Sequence, residues 1–240
     1  MKVLSIGNSF SQDAERYLHR LAKADGVNMK TVNLYIGGCP LQRHYINMLD
    51  DNADYSFEFN GESTGIKVSI RQALVSDNWD VITLQQVSSS SAKFESYTPY
   101  IEALAEYVRK YCPKAKIMIH ETWAYEAGSE KLTSVAGFDT PKAMTDAVCN
   151  AYKQAADRIS ADGIIPCGRA MQNATELGVE KIHRDKYHAS FGVGRYILAL
   201  TWYKKLTGRD ISDNSFSDFD EEVTERERKL AIAAVNAAVK

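Results

Sequence analysis

Three residues whose types suit nucleophilic catalysis stand far apart in this chain of 240 residues. Ser9 lies in Ile6-Gly7-Asn8-Ser9-Phe10-Ser11, directly after the apolar run Val3-Leu4-Ser5-Ile6, and Asp185 and His188 lie in Arg184-Asp185-Lys186-Tyr187-His188. A serine hydroxyl becomes nucleophilic when a base within hydrogen-bond reach takes its proton. The imidazole that does so needs an acceptor to fix its tautomer and stabilise its cation. Asp185 and His188 are three apart, so one turn of chain can aim both at a common point. A serine at a tight strand-to-helix turn also stands close to backbone N–H groups able to hold an oxyanion. Each residue has a plainer role open to it. Ser9 or Ser11 could be a helix N-cap, Asp185 could cap a turn, and His188 could be a half-buried polar residue at a helix start.

The elements that must position these groups follow from hydrophobic periodicity. Val3–Ile6 reads as a buried strand and Asp13 to Ala24 as a helix with Ala14, Tyr17, Leu18, Leu21 and Ala22 on one face. Thr31 to Ile36 is a second strand that breaks at Gly37-Gly38, and Pro40 then suits the first turn of a helix running to Leu49. Residues 55–69 alternate across Asn60-Gly61 and predict a small β-hairpin insertion, followed by a short helix over Ile70 to Val75. Strands are expected at Asp80 to Gln86, Lys116 to His120 and Gly163 to Pro166. Helices are expected at Tyr100–Tyr111, Pro141 to Ser160, Ala170 to Leu177, Phe191 to Leu206 and Thr224 to Val239. Strands alternating with helices predict right-handed crossovers and a single α/β domain over residues 1–240. Its architecture is a three-layer α/β/α sandwich, flavodoxin-like, on a central parallel sheet of about five strands.

Composition removes several function classes. A formal net charge of −2 without a long basic run carries no nucleic-acid footprint. No apolar stretch approaches the roughly 20 residues that cross a bilayer, and the first strand begins straight after Met1-Lys2, so neither a membrane partner nor a signal peptide is expected. Compartment and oligomeric state are left open. The cysteines Cys39, Cys112, Cys149 and Cys167 have no metal-ligand or disulfide-framework spacing and read as buried free thiols. No cofactor and no metal is implied.

In a parallel sheet, ligands bind beyond the carboxyl ends of the strands. Those ends here deliver Ser9, then Gly37-Gly38, then Gln85-Gln86 with the run Ser88 to Ser91, then His120-Glu121-Thr122-Trp123. In this order, with Asp185-x-x-His188 last, they resemble the four blocks of the SGNH (GDSL-like) hydrolase superfamily. One subgroup is matched still more closely, at Ile6–Ser11, Tyr35–Cys39, Leu84–Ser88, Thr122–Tyr125 and Asp185–His188. The resemblance spans essentially the whole chain and implies the SGNH hydrolase fold. Carried over residue by residue, it implies Ser9 as nucleophile, His188 as general base and Asp185 as the group orienting His188. It implies an oxyanion hole from the backbone N–H groups of Ser9 and Gly38 and one side-chain amide.

That amide is where the chain departs from the family. Most members carry asparagine in a Gly-x-Asn-Asp block, whereas this chain has Gln85-Gln86-Val87-Ser88. Some carbohydrate acetylesterases of the superfamily carry a glutamine there. Side chains alternate along a strand, so one of Gln85 and Gln86 should face the site, with Gln86, nearer the strand end, the preferred donor. Weaker candidates for substrate contact are Asn8, which could orient the nucleophile loop, and Tyr35, Trp123 and Tyr125 as an aromatic wall, with core packing the alternative.

The function expected is a serine esterase hydrolysing a small acyl ester, its partner a small-molecule ester or an acetylated carbohydrate. The rival is a non-catalytic carbohydrate-binding protein that keeps the fold, suggested by the altered amide block. Three minor readings complete the set: His120 and Glu121 as a second acid–base pair, Cys39 as a reactive thiol, and His183, Asp185 and His188 as metal ligands.

Overall fold

The computed structural model describes residues 1–239. Among the described residues seven strands form one sheet: β1 Lys2–Gly7, β2 Lys30–Tyr35, β3 Tyr55–Phe59, β4 Glu62–Val68, β5 Val81–Leu84, β6 Lys116–His120 and β7 Gly163–Ile165. The spatial order is β4-β3-β2-β1-β5-β6-β7. The neighbours from β2 through β7 pair in parallel, and β3 and β4 add antiparallel at the β2 edge. The parallel core therefore has five strands, and the sheet exceeds that expectation because the 55–68 hairpin pairs onto β2.

The helices are α1 Ser9–Glu15, α2 Leu18–Ala24, α3 Leu41–Leu49, α4 Ile70–Val75, α5 Tyr100–Tyr111, α6 Pro141–Arg158, α7 Cys167–Glu176, α8 Val193–Thr207 and α9 Glu225–Ala238. They pack in two sets, α3 and α4 with α5 in one, and α1 and α2 with α8 and α9 in the other. This is an α/β/α sandwich in which the chain steps one way from β1 to β2 and the other way from β5 to β7, as crossovers of one hand on opposite faces of a sheet require. Counted among themselves, the parallel strands run 2-1-3-4-5, so the direction reverses between β1 and β5.

The first helix starts earlier than its periodicity suggests. It begins at Ser9, directly off β1, and the segment expected as one helix is two, broken at Arg16 and Tyr17. Gly7 permits that abrupt start: a Cβ there would stand 2.2 Å from Ser11 Oγ. Asn8 is the N-cap, its Oδ1 accepting from Phe10 N at 3.0 Å while Ser11 Oγ accepts from Asn8 N at 3.1 Å. At the break, the Tyr17 hydroxyl is engaged by Phe191 O and Asp220 N, tying the start of α2 to later segments. β5 ends at Leu84, so Gln85 and Gln86 lie beyond the strand rather than within it.

Candidate active site

The carboxyl end of β1 puts Ser9 on the first turn of α1, at the reversal point of the sheet. Opposite it, residues 184–188 form a loop closed by a bridge between His183 and Ala189. Lys186 within it takes φ 76°, the left-handed region, which folds Asp185 and His188 onto each other. His188 Nε2 lies 2.8 Å from Ser9 Oγ, and His188 Nδ1 lies 2.7 Å from Asp185 Oδ2. Asp185 Oδ1 accepts from His188 N at 2.9 Å, so both carboxylate oxygens serve the same residue. Partial burial works to raise the Asp185 pKa, but the bonds from the His188 ring and backbone outweigh it and hold the carboxyl below its ordinary range. A carboxylate on Nδ1 keeps the proton there and leaves Nε2 as the acceptor for the serine hydroxyl.

The loop is pinned from several sides. Glu126 N donates to Lys186 O at 2.8 Å, and Trp123 Nε1 donates to Tyr187 O at 2.8 Å. The Tyr187 ring lies 4.0 Å from the His188 ring, centroid to centroid, and Phe10 approaches His188 from the α1 side at 5.8 Å. A buried ion pair also joins the loop to the serine's own helix. Asp13, fully buried on α1, accepts from Arg184 Nη1 at 2.9 and 2.8 Å and from Arg195 Nε at 2.9 Å. Arg184 Nη1 also binds Ala189 O, across the loop from its own position. Asp13 is visible in the sequence only as a polar helical residue. Its partner is 171 residues away, and no local spacing could have paired them.

The glutamines depart from expectation. Gln86, the preferred oxyanion donor, is buried in another network: its Nε2 donates to Ser96 O at 2.8 Å and Ser96 Oγ at 3.1 Å. Its Oε1 accepts from Leu41 N at 3.0 Å and Val87 N at 2.8 Å, fixing the loop that leaves β5. Gln85 is the one on the Ser9 side, but its Nε2 donates to Asn8 Oδ1 at 2.6 Å and its Oε1 meets His120 Nδ1 at 2.8 Å. The two side chains part company, although both lie beyond the end of β5, where strand alternation no longer governs them. The partners that occupy them come from remote segments, so the choice between them was beyond reach of the strand pattern.

Burial corrects the weaker candidates too. Trp123 is wholly buried and stacks on Phe10 at 4.1 Å, so it packs beneath the site instead of walling it. Tyr125 is almost as buried and shares a 2.9 Å hydrogen bond with Ser88 Oγ. Asn8 is buried and offers no surface to a substrate; its side chain instead caps α1, the helix that opens with Ser9, and its Nδ2 reaches Cys39 O at 3.2 Å. Tyr35 alone of the aromatic candidates is half exposed, its hydroxyl beside Gly37 in the second glycine turn. His120 and Glu121 part company, His120 turning to Gln85 while Glu121 accepts from Arg169 N at 3.0 Å in the first turn of α7. Burial pushes the Cys39 thiol up to about 12, so it is no thiolate. His183 Nε2 sits 3.0 Å from Ala124 O while His188 Nε2 faces Ser9, and among the described residues no group of three or more side chains is placed to hold a metal.

The sequence matches a family model described as "Domain of unknown function (DUF4886)" over residues 2–238. A DUF4886 family protein from Bacteroides uniformis, known from a crystal structure, is 36% identical and superposes with a TM-score of 0.91, covering 100% of this chain and 94% of that one. A protein from Slackia heliotrinireducens described as a candidate SGNH hydrolase has 21% identity and a TM-score of 0.64, covering 86% of this chain and 98% of its own. Axe2, an acetylxylan esterase from Geobacillus stearothermophilus, has 14% identity and a TM-score of 0.54, covering 85% of this chain and 92% of its own. No curated protein matches the sequence. The fold is that of the SGNH hydrolases.

Proposed function

The chain belongs to the DUF4886 family, and on that premise we propose that it is a serine esterase acting on a small acyl ester. The observation that carries the reading is the row Asp185–His188–Ser9, with contacts of 2.7 and 2.8 Å. Ser9 Oγ attacks the ester carbonyl while His188 Nε2 takes its proton, and Asp185 stabilises the resulting imidazolium. The backbone N–H groups of Ser9 and Gly38 receive the oxyanion; Gly38, at φ 60°, occupies an exposed turn next to the site. His188 then protonates the departing alkoxide, and water activated by the same nitrogen cleaves the acyl-serine.

O-acetyl groups on carbohydrate are the substrate class we infer, supported by an acetylxylan esterase among proteins of this fold. A panel of aryl esters of increasing acyl length, beside acetylated sugars, tests this. Acetyl esters should turn over fastest, and a preference for long acyl chains would overturn the substrate class. Turnover in Ser9→Ala should fall by about 10³-fold or more, and an unchanged rate would overturn the esterase itself.

One observation favours a second reading, a carbohydrate-binding protein without efficient chemistry: both glutamines of the amide block are engaged away from an oxyanion. Glycan binding by a protein whose Ser9 resists a fluorophosphonate would favour it.

A further inference from the structure

Behind Ser9 runs a chain of two amides and an imidazole whose polarity can be assigned from one end. Phe10 N donates to Asn8 Oδ1 at 3.0 Å, and Cys39 O accepts from Asn8 Nδ2 at 3.2 Å. A backbone N–H only donates and a carbonyl only accepts, so the Asn8 amide has a single orientation. Gln85 meets that same Oδ1 at 2.6 Å and must therefore offer its Nε2, which turns its Oε1 to His120 Nδ1 at 2.8 Å. His120 Nδ1 consequently carries the ring proton, and its buried Nε2 has no partner among the described residues. Burial pushes the His120 pKa down to about 3, so the ring stays neutral and the polarity stays fixed. Asn8, Gln85 and His120 are all buried, and the His120 ring is held edge-on to Trp202 at 4.9 Å.

The backbone atoms at the Asn8 end adjoin both proposed oxyanion donors: Phe10 follows Ser9, and Cys39 follows Gly38. Resting on the esterase reading, we propose that Gln85 and His120 are positioning residues that, through Asn8, hold the Ser9 and Gly38 amides at the spacing a tetrahedral oxyanion requires. The glutamine acts through Asn8 and not on the oxyanion. Without Gln85, Asn8 Oδ1 keeps only its capping contacts with the α1 backbone at Phe10 and Ser11, and the Asn8 side chain that joins the two turns loses the bond that braces it from behind. Misplacement by about 1 Å costs on the order of 10² in rate.

Gln85→Glu, Gln85→Met and His120→Phe, made in the full chain, test the relay. Each is compared with wild type and Ser9→Ala for kcat and KM on an aryl acetate between about pH 5 and about pH 9. In Gln85→Glu a protonated carboxyl still donates to Asn8 and accepts from His120, whereas a carboxylate cannot donate and opposes the Asn8 oxygen. Its kcat relative to wild type should fall about tenfold or more as pH rises, a change that a space-filling role would not produce. Asn8, Trp123 and Trp202, which contact the pair, do not titrate. Gln85→Met and His120→Phe should lose about ten- to hundredfold in kcat at every pH, with KM within about twofold. A flat Gln85→Glu ratio, or wild-type kcat in both apolar variants, overturns the relay. Thermal melts across the range establish that each variant is folded, and the near-isosteric Gln85→Glu decides alone if the apolar ones are not. Failure of the esterase reading is separate and visible, as a wild-type rate no higher than that of Ser9→Ala, and it removes the relay with it.

Discussion

At the scale of single residues, the site depends on who holds the His188 proton. Both Asp185 oxygens are committed to His188, one to its ring and one to its backbone, so the carboxylate sets tautomer and loop geometry together. Asp185→Asn presents an amide to Nδ1 and no longer enforces a bare Nε2. Its kcat on an aryl acetate should drop by roughly 10²–10⁴ with KM little changed, and steady-state kinetics on the variant checks this. The Asp-x-x-His pair was legible in the sequence because its geometry is local, three residues apart on one turn. The serine turn was legible for the same reason. Gln85, Gln86 and Trp123 were not, because where a side chain faces beyond a strand end is decided by partners such as His120, Ser96 and Phe10 from other parts of the chain.

At the scale of elements, α1 unites the proposed nucleophile with the anchor of the loop that bears its base. Ser9 opens the helix and Asp13, one turn on, holds Arg184 just before Asp185. Asp13→Asn would leave Arg184 and Arg195 facing each other without their shared counter-charge. Denaturant unfolding should register a loss of about 3–5 kcal/mol, and kcat should fall as the 184–188 loop loosens. Glu15, at the far end of α1, is buried against Ser5, whose hydroxyl accepts from Thr83 Oγ1 at 2.9 Å. Burial pushes its carboxyl up to about 8, from 4.5 in the exposed chain. Below pH 4.5 both states hold the proton, and between there and about pH 8 only the folded state does, so stability drains away as pH rises through that window. Glu15→Gln removes this term. The melting temperature of wild type should therefore fall relative to the variant as pH is raised from about 5 to about 8, and parallel curves would contradict the buried protonated carboxyl.

At the scale of the molecule, the five-stranded parallel core was legible because each strand is a short apolar run set off by helical periodicity. The hairpin over 55–68 was also visible, as period-two alternation around Asn60-Gly61, but its attachment to β2 was not. That pairing is made by non-local contacts such as Glu58 to Asn33 at 2.8 Å, which no pattern within the hairpin encodes. The strand order does what the fold requires of it: it reverses between β1 and β5, and Ser9 sits at the end of β1 where such sheets bind ligands. Whether that placement is chemically active is tested most directly by treating the full chain with a fluorophosphonate and mapping the adduct by peptide mass spectrometry. A single adduct on Ser9, absent in Ser9→Ala and slowed in Asp185→Asn, is the result predicted here. A folded protein whose Ser9 stays unmodified would contradict the assignment of Ser9 as nucleophile.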